Sequence, residues 1–305
     1  MCSILTRVRI EYREEPCKSA LNRVRGMPFE WSLNPYMGCA HRCTFCYVRA
    51  FELRADRPAD DRYGRSIRVK TNVAQVLARE LARRSWAGGG IAIGAATDPY
   101  QPCEGRYRLT RACLEVLGAA ANPFSLITRG PMIVRDLDVL QSAAERTEVS
   151  IIFSVPTLDE AVWRTTEPGT APPRQRLRAL TELLEGGVKA SVGMAPILPG
   201  LSDRPEQLAE VVKAARAAGA TSIWANLLYL KPGTREHFLT ALSRDWPDEL
   251  ERYERLYDGR SYLPSAVTLP VRDRVRALAR EHGVRDRRST QPASPPLPAQ
   301  LKLAV

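Results

Sequence analysis

Apolar residues recur along most of this chain in two alternating periods, one of helices and one of strands. Thr71–Trp86 carries Val73, Val76, Leu77 and Leu81 at helical spacing, which predicts a helix. Gly88-Gly89-Gly90 ends it, and Ile91–Ala96 then reads as a buried parallel strand. A helix is expected over Thr110–Ala120, with Thr110 as a candidate N-cap, followed by a strand over Phe124–Thr128. Asp136–Arg146 is helical in pattern, and Val149–Val155 is a run of branched residues that favours a strand. Pro173–Glu185 opens on proline and stops at Gly186-Gly187, the usual asymmetry of a helix. Val188–Ala195 reads as a strand, Arg204–Ala218 as a helix closed by Gly219, and Thr221–Leu228 as a further strand. Trp31–Tyr36 supplies an earlier short strand, and Pro247–His282 is helical and charged, broken at Tyr262-Leu263-Pro264.

Strands alternating with helices of this length predict a parallel sheet with right-handed crossovers. Six strands, beginning near Trp31, Ile91, Phe124, Val149, Val188 and Thr221, suit an α/β fold built as a partial (β/α)6 barrel. A doubly wound sheet shares the same pattern and stays open as an alternative. The expected organisation is an arm over 1–28, the core domain over 29–230, a helical C-terminal extension over 231–284 and a disordered tail over 285–305. Turn and polar residues gather just after the strands, at Thr97-Asp98-Pro99, Thr128-Arg129-Gly130 and Pro196–Pro199. Parallel α/β folds place their sites at that edge.

Composition narrows the picture less than the pattern does. An apolar fraction of 44 % over 305 residues is ordinary for a chain with a full core. No stretch approaches the ~20 apolar residues of a membrane span, and the first residues lack the apolar run of a secretory signal. A cytoplasmic protein without membrane association is therefore expected. The net charge of +11 admits a nucleic-acid partner, although Arg49, Arg54, Arg57, Arg62, Arg65 and Arg68 interleave with Glu52, Asp56, Asp60 and Asp61. Solvated arginine faces would give the same count.

Of seven cysteines, Cys2, Cys17, Cys103 and Cys113 are scattered, while Cys39, Cys43 and Cys46 crowd into one loop. That distribution is not a disulfide framework. Gaps of three and two residues let one loop place three thiolates on three corners of an iron–sulfur cubane, leaving one iron open. Structural zinc is the competing use. Zinc takes four closed ligands, usually as two separated pairs. Here there is no second Cys-x-x-Cys, and of the three histidines His41 lies inside the loop, with His237 and His282 far along the chain.

The Cys-x-x-x-Cys-x-x-Cys loop, with aromatic Phe45 before its third cysteine, resembles the signature of radical S-adenosylmethionine (SAM) enzymes. Asn34-Pro35-Tyr36 before Gly38-Cys39, Tyr47, Thr97-Asp98-Pro99-Tyr100-Gln101-Pro102 with Glu104, Arg135-Asp136-Leu137-Asp138, and Pro196–Gly200 with Asp203 resemble the spore photoproduct lyase-like group within that family. The resemblance covers about residues 30–230 in order. It implies a [4Fe-4S] cluster on Cys39, Cys43 and Cys46, whose open iron chelates SAM. It further implies reductive cleavage of SAM to a 5′-deoxyadenosyl radical that abstracts hydrogen from substrate, with electrons from a donor such as flavodoxin or ferredoxin. By the same resemblance, Phe45 packs near the adenine, Thr97 and Asp98 meet the methionine end, and Arg129 meets the cofactor carboxylate. Ser154 and Asn226 are further cofactor candidates, and Tyr47 and Cys103 are candidate catalytic hydrogen donors. A helix cap for Asp98, a surface arginine for Arg129 and a small core side chain for Cys103 remain open as plainer roles.

The chain departs from the group's archetype at two places. Ala95-Ala96 stands where that lyase has a donor cysteine, and Phe45 where it has one of two tyrosines. The radical relay of thymine-photoproduct repair is thus incomplete. The expected function is a radical SAM enzyme whose substrate is unidentified, with nucleic acid as a candidate. A repair lyase and a basic nucleic-acid-binding module with a structural metal are the alternatives.

Overall fold

The computed structural model describes residues 9–286. The first elements are β1 (Glu11–Glu15), β2 (Leu21–Arg23), β3 (Trp31–Leu33), β4 (Tyr36–Met37), α1 (Arg49–Arg54), β5 (Ser66–Lys70), α2 (Val73–Leu81) and β6 (Ile91–Ile93). The middle of the chain forms α3 (Glu104–Tyr107), α4 (Leu109–Ala119), β7 (Phe124–Thr128), α5 (Leu137–Ala144), β8 (Val149–Ser154), α6 (Glu160–Thr166), α7 (Pro173–Glu185) and β9 (Ala190–Ile197). The last part forms α8 (Pro205–Ala217), β10 (Ser222–Leu227), α9 (Thr234–Asp245), α10 (Leu250–Leu256), α11 (Ser265–Glu281) and β11 (Arg285–Asp286). Among the described residues no helix is long and apolar enough to cross a membrane.

The main sheet has the strand order β11-β10-β9-β8-β7-β6-β3-β2. Its six central strands, β3, β6, β7, β8, β9 and β10, are mutually parallel and neighbour one another in chain order. A doubly wound sheet would reverse its order at a switch point. Here nothing reverses, and right-handed crossovers taken in one direction put every helix on the same face. The architecture is the α/β partial (β/α)6 barrel. The antiparallel β2 and the parallel β11 extend its two edges.

Alternation along the strands divides the sheet into two unlike faces. Leu33, Ile91, Ile93, Phe124, Leu126, Ile151, Phe153, Val192, Met194, Ile223 and Leu227 enter the main core beneath the helices. The other face carries Ser32, Ala92, Ser125 and Ser150 in one register row, then Ile152 beside Ser191, and Ser154 beside Gly193 and Trp224. A side chain at Gly193 would collide with the Trp224 ring at 2.9 Å, which places both on the inner side. The lumen is therefore lined mostly by small and hydroxyl-bearing residues.

Several elements depart from the pattern. Residues 9–28, assigned to an arm, hold β1 and β2. The strand β1 pairs in parallel with β5, and β4 pairs antiparallel to β5, making a second three-stranded sheet. Glu11-Tyr12-Arg13-Glu14-Glu15 shows no apolar alternation because only Tyr12 reaches the small core of Tyr36, Ile67, Val69 and Cys103. The helix expected to run to Trp86 ends at Leu81. Trp86 instead packs on Trp31, with ring centroids 5.3 Å apart, and donates to Asn122 Oδ1 at 3.1 Å. The helical extension packs on the barrel, with Tyr257 donating to the Leu228 carbonyl at 2.7 Å. Arg285–Asp286, expected in the tail, pair with β10, and the rest of that tail lies outside the described residues.

Candidate active site

The cysteine loop leaves β4 through Gly38 at φ +85° and turns again at Arg42, φ 51°. A left-handed residue costs little at glycine. The curl is then held from outside. Gln101, fully buried, accepts from the Ala40 amide at 2.9 Å and donates to the Gly38 carbonyl at 3.1 Å, bracketing Cys39 on both sides. The Thr97 hydroxyl donates to the same Gly38 carbonyl at 2.7 Å and accepts from Gln101 at 2.8 Å. Further along, the amides of Thr44 and Gly169 donate to the carbonyls of Thr166 and His41, at 2.9 and 3.1 Å, and Thr234 donates to the Cys46 carbonyl at 3.1 Å. A Cβ at Gly64 or Gly169 would strike the Cys39 or Ala40 carbonyl at 2.3 and 2.5 Å. The loop is thus gripped from two sides at backbone contact.

Cys39 and Cys43 are buried and Cys46 is half-buried. Burial pushes the Cys39 thiol well up, and pushes that of Cys43 up to about 12 against the pull of Arg129. Tyr63 sets its hydroxyl 3.6 Å from Cys46 Sγ, and the Arg49 guanidinium lies 4.6 Å over the Tyr63 ring. Among the described residues no three His, Cys, Asp or Glu side chains converge as ligands of one metal ion. A cubane asks for less convergence, because each thiolate goes to a different iron. Three thiols delivered by one curled, braced loop fit such a cluster.

Asp98 is buried behind the loop. One carboxylate oxygen accepts from the Tyr100 amide at 2.9 Å and the Thr128 hydroxyl at 2.6 Å. The other accepts from the Arg129 amide at 2.7 Å and lies 3.3 Å from His41 Nδ1. Burial opposes ionisation, but His41, Thr128 and the Arg129 amide outweigh it and hold the carboxyl down at about 2. Both oxygens are therefore occupied by protein partners, and in this structure Asp98 positions the loop through His41.

Arg129 lies 5.6 Å over the Phe45 ring, donates from Nε to Glu167 at 3.0 Å and from Nη2 to the Ala195 carbonyl at 3.2 Å. Glu167, fully buried, also meets Arg176 at 2.7 Å. Burial alone would raise the Glu167 carboxyl, but Arg176 and Arg129 hold it below the usual range. Arg176 in turn donates to the Ser154 carbonyl at 2.8 Å and to Thr170 at 2.6 Å. This arginine–glutamate–arginine chain ties β7, β8 and α7 together beside Cys43 and Phe45.

Of the residues singled out in the sequence, the structure brings Cys39, Cys43, Cys46, Phe45, Thr97, Asp98 and Arg129 into this neighbourhood. Ser154 ends β8 on the lumen face, and Asn226 is exposed on β10 where its register with β9 shifts between Ala225 and Leu227. Tyr47 donates its hydroxyl to the Ala95 carbonyl. Cys103 goes elsewhere: it is buried under the second sheet with Tyr36, Ile67 and Val69. The remaining motif residues form a brace. Glu104 meets Arg135 at 3.1 Å, Asp136 accepts from Tyr100 at 3.0 Å, and Arg111 bridges Asp136 and Asp138. Gln101 lies in the Thr97–Pro102 motif, whose resemblance implies no role for it, while Glu167 and Arg176 sit in stretches that carry no motif.

A parallel partial barrel with a braced three-thiol loop at its strand ends defines the class of radical SAM proteins. Residues 33–212 match the Radical SAM superfamily model, and the chain belongs to that superfamily. An uncharacterized protein of Mycobacterium tuberculosis is 38 % identical over 272 residues, covering 88 % of this chain and 80 % of the relative. The Radical SAM Nalpha-GlyT isomerase of Pseudomonas phage M6 is 24 % identical over 172 residues, covering 55 % of this chain and 33 % of the relative. The fold matches spore photoproduct lyase complexed with dinucleoside spore photoproduct at a TM-score of 0.67, with 16 % identity, covering 89 % of this chain and 79 % of that one.

Proposed function

We propose that this chain is a radical SAM enzyme that takes a hydrogen atom from a substrate admitted at the barrel mouth, in the cytoplasm, with electrons from a flavodoxin or ferredoxin. The braced loop carries the reading, because it fixes Cys39, Cys43 and Cys46 as one rigid donor set. When bound, a [4Fe-4S] cluster and SAM supply reductive cleavage of the sulfonium carbon–sulfur bond, giving methionine and the 5′-deoxyadenosyl radical that attacks the substrate. The protein's work is to bind, orient and exclude water.

Gln101 and Thr97 hold Cys39 in place, and Asp98 holds His41. Arg129 is fixed by Glu167 and the Ala195 carbonyl, which leaves Nη1 to donate to a cofactor carboxylate. Phe45 lies flat beneath that guanidinium and offers an apolar wall to the adenosyl group. Ser154 and Asn226, on the lumen side, supply polar groups for the same ligand. The absent thiol at Ala95-Ala96, together with the burial of Cys103 under the second sheet, argues for a reaction other than photoproduct repair.

Anaerobic reconstitution followed by dithionite tests the assignment. The wild-type protein should bind four irons with acid-labile sulfide and form 5′-deoxyadenosine from SAM, and Cys39→Ala should do neither. A fully loaded cluster that forms no 5′-deoxyadenosine overturns it.

A further inference from the structure

A ladder of aromatic rings crosses from the cysteine loop to the residues that follow β10, and the function proposed above uses none of its members. Phe51 meets Tyr47 edge-on with centroids 5.9 Å apart, Tyr47 meets Tyr229 at 6.0 Å, and Tyr229 stacks on Tyr262 at 5.2 Å with planes 21° apart. A cation caps each end: Arg54 lies 4.9 Å over Phe51, and Lys231 lies 5.6 Å over Tyr262. Tyr47 follows the last cysteine, whereas Tyr229 and Lys231 follow β10, so the ladder links the first and last parallel strands across the mouth.

The rings are held rather than loosely displayed. The Leu230 amide donates to the Ser261 carbonyl at 2.8 Å, which sets Tyr229 beside Tyr262. Thr234 bonds the Cys46 carbonyl, and a Cβ at Gly233 would meet the Arg49 carbonyl at 3.0 Å, which fixes the Tyr229–Lys231 segment against the loop. Yet Tyr262 is 57 % exposed, Phe51 39 % and Tyr47 36 %. Fixed rings, three of them solvent-facing, between two cations suit a ligand that alternates planar faces with negative charge.

We infer that the Phe51–Tyr47–Tyr229–Tyr262 ladder, with Arg54 and Lys231, is a binding platform for unpaired nucleotides of a nucleic acid. Bases stack on the rings, and phosphates lie over the cations. A duplex is excluded by its own stacking, which hides the base faces. An acidic peptide satisfies the cations and leaves the rings bare. The net charge of +11 favours a polyanion over any neutral aromatic ligand. The inference rests on the radical SAM reading, since it names that reading's substrate class.

The test uses the anaerobically reconstituted holoprotein, with fluorescence anisotropy at fixed salt on a labelled single-stranded oligonucleotide, its duplex and a polyglutamate peptide. The single strand should bind most tightly. Tyr262→Ala should weaken it about tenfold and Tyr262→Phe should retain it, because stacking needs the ring and not the hydroxyl. Lys231→Ala should lower the salt slope by about one. Equal or tighter binding of duplex or peptide, or unchanged binding by Tyr262→Ala, overturns the inference. Formation of 5′-deoxyadenosine by the same wild-type preparation without oligonucleotide tests the underlying reading separately.

Discussion

The cysteine loop and the aromatic ladder meet at Cys46 and Tyr47, yet they are built in opposite ways. Around the loop, side chains spend their polar groups on backbone: Gln101, Thr97 and Thr234 each bond a loop amide or carbonyl. Behind it, Asp98 and Glu167 spend their charges on buried neighbours. Along the ladder, rings touch rings, and Phe51, Tyr47 and Tyr262 keep part of their surface in solvent. A site that must keep three thiols in one arrangement needs every loop position over-determined. A site that must admit and release a substrate needs unspent surface. Substitutions in the first region should therefore cost stability and cluster content, and substitutions in the second should cost only recognition.

The largest effect is expected at Glu167. Glu167→Ala leaves the fully buried Arg176 and the mostly buried Arg129 without their shared counter-charge. Urea unfolding should show a loss of roughly 3–5 kcal/mol. Gln101→Leu comes next. It strands the Ala40 amide and leaves the Gly38 carbonyl with Thr97 alone, so the apoprotein should lose roughly 1–3 kcal/mol and the reconstituted protein should bind less iron. Normal iron content in that variant would show that the bracket is not what holds Cys39.

Acid titration sharpens the same comparison. The folded-state carboxyl of Asp98 lies at about 2, against an ordinary aspartate value of 3.8. A depressed folded value means that the unfolded chain takes up the proton first. The stabilisation is therefore fully present above 3.8 and is lost as pH falls through about 2, and it amounts to about 2 kcal/mol. In Asp98→Asn that contribution should be missing from the acid limb of an unfolding-against-pH curve. The smallest effect on stability belongs to the ladder: Tyr262→Ala should unfold within about 0.5 kcal/mol of wild type. A large loss there would mean that the ring is structural and that the two regions are not separate.

The pattern of the chain carried a good part of this arrangement. The strands at Phe124–Thr128 and Val149–Ser154 and the helix Pro173–Glu185 stand almost where periodicity and glycine–proline punctuation put them. The grouping of Cys39, Cys43 and Cys46 in one loop was legible too, because residues so near in the chain stay near in space. Residues of the second sheet did not declare themselves, since Glu11–Glu15 is polar on both faces and gains its order by pairing with β5. Cys103 illustrates the same difficulty. It sits only a few positions past Asp98, yet as the residue that opens α3 it is buried under that sheet with Tyr36, Ile67 and Val69.

Local order and motif spacing depend on residues that are close in the chain, so the six parallel strands, their helices and the three-thiol loop could be read from the amino-acid sequence. Hydrogen bonds and van der Waals contacts act over a few ångströms, and their partners here are far apart in the chain. Gln101 reaches across 61 positions to Ala40, and Thr234 across 188 to Cys46. The bracket around Cys39, the burial of Glu167 between two arginines and the alignment of Tyr47, Tyr229 and Tyr262 exist only once the sheet has curled and brought its first and last strands to the same mouth.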